Sequence, residues 1–334
     1  MNKGLMWNSI LEILLKKVKQ GVDVRLMWDD VGSINYVDRK YAKSLTKKGI
    51  KTFIFNPAKY QLAIHMNNRD HRKIIIIDGK VAFTGGQNIA DEYINAIRKY
   101  GYWKDMGCMF HGKAVETFTI TFLQLWNFQS KSTTNVEDFI QPAHVFDSYS
   151  KDDGYIIPFS DSPTDENYTG KNFHINMLHN SKNYFWISTP YLVLDTEMID
   201  ALALAVDNGI DVRIIVPGIP DKKTVYQVTK ANIQDLVKKG VRIYIFEPGF
   251  IHGKVAISDD QSAVVGTVNM DSRSYYLHYE CGVWMYKNRA IKDIKMDFEN
   301  MFEACHEVTL FEVEQTNVWV RVLRSFLRIL SPIL

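Results

Sequence analysis

The sequence predicts an α/β fold built from two duplicated halves. Each half is a mixed sheet flanked by helices, and the candidate active site lies at their interface. The first observation is repetition. Gly21-Val22-Asp23-Val24-Arg25 returns as Gly209-Ile210-Asp211-Val212-Arg213, and Lys47-Lys48-Gly49-Ile50 as Lys238-Lys239-Gly240-Val241. His71-Arg72-Lys73 returns as His252-Gly253-Lys254. The order is kept at offsets of 188, 191 and 181 residues, the signature of a duplication. The second observation is alternation of helix-period and strand-like segments, which argues for layered α/β architecture. The third is size: 334 residues exceed one compact domain and fit about two.

Composition narrows the class. With 46% hydrophobic and 23% charged residues, the chain is neither disordered, collagen-like nor coiled-coil. A net charge of +2 gives no bulk electrostatic case for nucleic acid. Cys108, Cys281 and Cys305 form neither a disulfide framework nor a C-x-x-C pair, which suits a reducing compartment. No apolar run reaches 18 residues, and the N-terminus lacks a signal-peptide pattern.

Taken in order, the first half covers residues 1–130. Ile10, Leu11, Leu14, Leu15 and Val18 recur at helical spacing, and a β-branched strand runs from Val22 to Met27. A second helix closes at Lys47-Lys48-Gly49, lysines in its last turn and glycine beyond. Ile74 to Ile77, the turn Asp78-Gly79 and Val81 to Thr84 form a hairpin. Residues 131–154, rich in Ser, Thr, Asn and Asp, are the expected linker, and 155–310 the second half. There Phe185 to Tyr191 is a strand preceding the helix near Met198 to Val206. The first half opens directly on the equivalent helix, so its first strand is expected to be missing, as in a chain truncated at its start. Residues 316–334 are expected to form an amphipathic helix. Its arginines (Arg321, Arg324, Arg328) make a stripe suited to an anionic membrane surface, the alternative being a helix packed on the domain.

The chemistry concentrates in the two H-x-K elements. From His71 the sequence continues to Lys73, Asp78, Gly85-Gly86 and Asn88; from His252, to Lys254, Asp259, Gly266-Thr267 and Asn269, with identical spacing. Residues i and i+2 of a strand share a face, so each histidine projects with its lysine. Two such hairpins facing each other bring two imidazoles, two ammonium groups and two carboxamides around one cleft. Lysine and asparagine can hold a phosphate diester, one histidine can attack phosphorus, and the other can protonate the departing oxygen. Asp78 and Asp259 belong to the motif but sit at the turns, where they read as structural ties. Fixed cations make a metal unnecessary, and no cofactor is expected.

These paired motifs resemble the phospholipase D superfamily over nearly the whole chain. Phe83-Thr84-Gly85-Gly86-Gln87-Asn88, Trp103-Lys104-Asp105, Ser188-Thr189-Pro190-Tyr191 and Ser272-Arg273-Ser274 are similar to bacterial cardiolipin synthases in particular. The resemblance implies metal-independent transfer through a phosphohistidine. Phosphatidylglycerol would give up glycerol, and a second phosphatidylglycerol would accept the phosphatidyl group. It makes His71 the nucleophile, His252 the acid/base, and Lys73, Asn88, Lys254 and Asn269 the phosphate ligands. The family places a carboxylate about 30 residues after each histidine, which singles out Asp105 and Glu280 as histidine-orienting groups. The implied partners are phosphatidylglycerol and an anionic membrane surface, with no nucleic acid and no obligatory protein partner. The implied site is the cytoplasmic face of a bacterial cell membrane. A phospholipid hydrolase and an inactive membrane-binding fragment are the alternatives. His65, His111, His144, His174, His179, His278 and His306 are expected to be packed or solvated. Tyr275-Tyr276 is expected either to line a lipid pocket or to pack.

Overall fold

In the computed structural model the described residues are 2–33, 37, 39–57, 67–131, 133–146 and 153–329. His65 and Leu330 to Leu334 lie outside them.

The second half is organised by a nine-stranded sheet. Its order is Cys305–Glu307, Arg242–Phe246, Asp211–Pro217, Tyr184–Ser188, Lys254–Ser258, Ser262–Gly266, His278–Tyr286 and Arg69–Asp70, with Tyr155–Asp161 also pairing His278–Tyr286. Tyr184–Ser188 sits at the centre, parallel to Asp211–Pro217 and antiparallel to Lys254–Ser258. Every residue of Tyr184–Ser188 and of Lys254–Ser258 is buried. That matches their near-continuous apolar run, which needs cover on both faces. Helices Thr169–Asn180, Thr196–Asp207 and Lys223–Lys238 cover one face through Met177, Met198, Leu202 and Leu236. Ala290–Glu303 covers the other with Phe298 and Met301, joined there by Phe118 from the first half's helix Val115–Ser130. Asp195 starts its helix by accepting the backbone N–H of Met198.

The first half repeats these elements with its sheet divided in two. Arg25–Asp29 pairs in parallel with Lys51–Phe55, as Asp211–Pro217 does with Arg242–Phe246. Ile74–Ile77, Val81–Gly85 and Gly107–His111 form a separate antiparallel sheet. Among the described residues no strand joins the two sheets. The core beside Arg25–Asp29 is correspondingly small, resting on Trp7, Trp28, Val37, Leu45 and Ile50.

The halves exchange strands just ahead of each H-x-K element. Arg69–Asp70 adds in parallel to His278-Tyr279, and Gly249–Ile251 pairs in parallel with Tyr102–Lys104. The backbone N–H of His71 then donates to the Tyr279 carbonyl, and that of His252 to the Lys104 carbonyl.

At the C-terminus, helix Val318–Ile329 packs on Lys223–Lys238 and corrects the expected orientation of its basic stripe. Arg328 pairs with Asp235, and Arg324 donates to Gln227 at 3.3 Å, because these polar partners line the underlying helix. Arg321 alone of the three arginines is exposed, beside Trp319, Val322, Leu323 and Phe326. No helix among the described residues is long and apolar enough to cross a membrane.

Candidate active site

Both hairpins turn through residues with positive φ, Asp78-Gly79 in one and Asp259-Asp260 in the other, the backbone of a type I′ turn. The turn lies at the far end of its strand from the histidine, so neither aspartate reaches an imidazole. Asp259 accepts the backbone N–H groups of Lys182, Asn183 and Tyr184, tying the turn to the start of the central strand.

At the other end, each histidine meets a carboxylate of the opposite half. His71 Nδ1 lies 2.9 Å from Glu280 Oε1, and His252 Nδ1 lies 2.8 Å from Asp105 Oδ2. The sequence puts Asp105 after His71 and Glu280 after His252; the strand exchange crosses the pairs. Glu280 is fully buried and also accepts from Ser274 Oγ at 2.7 Å and from the Thr267 hydroxyl. Asp105 accepts the Met106 N–H at 2.8 Å. Gly86 makes this approach possible, because a side chain there would run into the Asp105 carboxylate and the His252 carbonyl.

Lys73 Nζ donates to the His71 carbonyl at 2.6 Å, and Lys254 Nζ to the His252 carbonyl at 2.6 Å. Lys254 Nζ also lies 2.9 Å from His252 Nε2. Asn88 donates to the Tyr93 hydroxyl at 2.6 Å, while the buried Asn269 Oδ1 has no partner among the described residues. His71, Lys73, Asn88, His252 and Asn269 all line one cavity of about 1830 Å³, which runs on between Arg25–Asp29 and Ile74–Ile77.

Burial dominates the site's proton affinities. It pushes His71 down to about 3 and His252 to about 4, despite the opposing pull of Glu280 and Asp105. Burial likewise brings Lys254 down to about 7 and lowers Lys73. Burial alone would raise both carboxyls, yet their histidine partners hold Glu280 and Asp105 below the usual range. Burial thus favours the neutral imidazole, the form a nucleophile or base needs, while the facing carboxylates favour the protonated one.

His278, expected to be an ordinary packed or solvated histidine, belongs to this site. Its ring centroid is 5.6 Å from that of His71, and its Nδ1 is 3.7 Å from Glu280. Trp103 takes the corresponding place at 5.2 Å from His252. Each precedes its carboxylate by two residues, the same-face spacing that could have revealed it. His71, His278 and Glu280 offer ligand atoms within 4.8 Å of one another, but a metal there would displace the His71–Glu280 hydrogen bond. Tyr275 and Tyr276 pack away from the cavity, against His174 and on Lys171 and Asp195.

Comparison with known proteins shows the family. Residues 6–126 and 174–302 match the family described as "Cardiolipin synthase, PLD-like domain". The chain belongs to this family. It is 44% identical over 332 residues to an uncharacterized protein of Streptococcus mutans, covering 99% of this chain and 71% of that one. It is 36% identical over 327 residues to the major cardiolipin synthase ClsA of Bacillus subtilis, covering 98% and 67%. A cardiolipin synthase of Alkalihalophilus pseudofirmus is 34% identical over 328 residues, covering 98% and 64%, so the chain spans about two thirds of these relatives' length. Phosphatidylserine synthase from Haemophilus influenzae superposes with a TM-score of 0.75 over 100% of this chain and 88% of that one, at 15% identity, a likeness of fold.

Proposed function

We propose that the chain is a phosphatidyl transferase of the cardiolipin synthase type. The observation that carries this is the crossed pair of imidazole–carboxylate contacts on one cavity, each histidine with its own lysine. A carboxylate on Nδ1 holds the proton there and leaves Nε2 as the basic nitrogen. In this reading the bound phosphate anion and Asp105 favour a second proton on His252, at Nε2. His71 Nε2 attacks the phosphorus of phosphatidylglycerol, and the bond from phosphorus to the glycerol oxygen breaks as His252 gives its Nε2 proton to the oxygen and becomes neutral. Glycerol leaves. The hydroxyl of a second phosphatidylglycerol gives its proton to His252 and attacks the same phosphorus. The P–N bond breaks, cardiolipin forms, and His71 returns to its starting state. Lys73, Lys254, Asn88 and Asn269 would hold the nonbridging oxygens, and the bound anion would favour the protonated lysines.

The C-terminal helix supports a peripheral position on a bilayer. Trp319, Leu323 and Phe326 are more than half exposed, with Arg321 beside them to meet anionic headgroups.

The test is to incubate the protein with phosphatidylglycerol vesicles in the presence of a chelator and follow the lipids by mass spectrometry. Cardiolipin and glycerol, both absent with His71→Ala, are expected. Phosphatidic acid in their place would make the protein a hydrolase.

A further inference from the structure

The two half-sites differ in what stands against the carboxylate. Glu280 Oε1 faces two imidazoles, with His71 Nδ1 at 2.9 Å and His278 Nδ1 at 3.7 Å. The Nδ1 of His278 is buried and has no hydrogen-bond partner among the described residues. Asp105 faces one imidazole, His252, because Trp103 fills the place of His278 and its indole offers no lone pair. Ligand atoms of His71, His278 and Glu280 lie within 4.8 Å of one another, and both imidazoles line the cavity.

This trio has the donor set and nearly the spacing of a zinc centre. Ligands about 2.0 to 2.1 Å from a tetrahedral ion stand about 3.3 to 3.4 Å from one another. The 2.9 and 3.7 Å separations at Glu280 bracket that edge. Two imidazoles and one carboxylate suit zinc, with a fourth position left to water, and not magnesium or calcium, which take oxygen ligands. The carboxylate is already held in place. Ser274 Oγ donates to Glu280 Oε1 at 2.7 Å and the Thr267 hydroxyl to Oε2, an outer shell of the kind that orients a metal ligand. Lys73 Nζ rests on the His71 carbonyl and Arg72 on Asp70, so among the described residues neither pairs with Glu280.

We propose that His71, His278 and Glu280 bind a zinc-type divalent cation, and that the bound ion shuts off the nucleophile. The inhibition, unlike the binding, rests on the phosphatidyl-transfer reading. The ion takes the place of the proton on His71 Nδ1 and breaks the His71–Glu280 hydrogen bond. The neutral imidazole then carries its single proton on Nε2, whose lone pair is no longer free to attack phosphorus. The proton has moved from one ring nitrogen to the other, and nothing is oxidised. His252 is not open to the same block, since one imidazole and one carboxylate meet there.

The test uses the full chain, freed of metal by chelator and dialysis, with zinc chloride as the probe. Calorimetric titration should show one tight site per chain, and cobalt in place of zinc should give the visible absorption of a tetrahedral centre. A crystal of the native protein soaked in zinc should show anomalous scattering between the rings of His71 and His278. His278→Asn should weaken zinc binding about a hundredfold or more, a loss that removal of an outer-shell group can already cause. His306→Asn, at an exposed histidine–carboxylate pair, should leave the tight site unchanged. Phosphatidyl transfer should fall as the site fills and return when chelator is added. No binding, scattering elsewhere, or unaltered affinity in a folded His278→Asn protein overturns the site, and the native crystal decides it if that variant does not fold. Zinc seated at the trio with transfer unchanged or raised overturns the inhibition. Zinc seated there in a protein that transfers no phosphatidyl group supports the site and contradicts the functional reading alone, so the two fail separately.

Discussion

Glu280 holds the Nδ1 of His71 at 2.9 Å across 209 residues of sequence, and Asp105 holds that of His252 at 2.8 Å in the opposite sense. Neither half therefore contains a complete histidine–carboxylate pair. Glu280→Gln or Asp105→Asn should lower kcat by about 10²-fold or more with little change in KM, since each removes the group that orients an imidazole. Steady-state kinetics on phosphatidylglycerol vesicles check this, with thermal unfolding as the control for folding.

Acid should destabilise the protein over a defined window. His71 and His252 bind protons more weakly folded, near 3 and 4, than at the ordinary histidine value of 6.5. Between about pH 6.5 and 4 the unfolded chain therefore takes up more protons, and stability falls as the pH drops through that range. Melting temperatures measured from pH 7 to 4 should decline, with a shallower slope in His252→Asn.

Substrate binding should respond at a different pH. Lys254, brought down to about 7, sheds its charge as the pH rises through neutrality. KM for the anionic headgroup should rise above about pH 7, and the profile should flatten in Lys254→Arg, whose guanidinium stays charged.

Gly86 is required by the carboxylate beside it. Gly86→Ala would force Asp105 and the His252 carbonyl apart, so activity should fall at least as far as in Asp105→Asn. A crystal structure of the variant should show the His252–Asp105 contact lengthened; an unmoved contact would refute this account of the glycine.

On the C-terminal helix the apolar and basic residues should behave differently. Trp319→Ala combined with Phe326→Ala should weaken vesicle binding about tenfold or more, by loss of apolar surface. Arg328→Ala should leave vesicle binding largely unchanged while loosening the helix, since Arg328 faces Asp235. Liposome sedimentation and limited proteolysis separate the two.

The repeated H-x-K elements were readable in the sequence because duplication repeats their spacing, whereas Asp105 and Glu280, 34 and 28 residues after His71 and His252, were singled out by the family resemblance. The crossing was not readable, because separation along the chain does not say which half's strand edge a segment joins. His278 was passed over for lack of a repeated histidine; its repeat partner is Trp103, and shape and position are conserved between the halves while chemistry is not. The arginine stripe at 321–328 was visible as a period, but only Gln227 and Asp235 on the neighbouring helix decide which side it turns to. The division of the first half's sheet was not legible, because pairing across a sheet is not written along the chain; the pairing of Tyr184–Ser188 with both its neighbours brings it out by comparison.

The most direct test of the proposed mechanism is to trap its covalent intermediate. His252→Asn protein would be mixed with phosphatidylglycerol, quenched in alkali, digested and analysed by mass spectrometry. The proposed mechanism predicts a phosphatidyl group on His71, and none when His71→Asn is treated in the same way. Turnover surviving in His71→Asn, or cardiolipin formation by the native protein with no histidine adduct detectable in either variant, would contradict it.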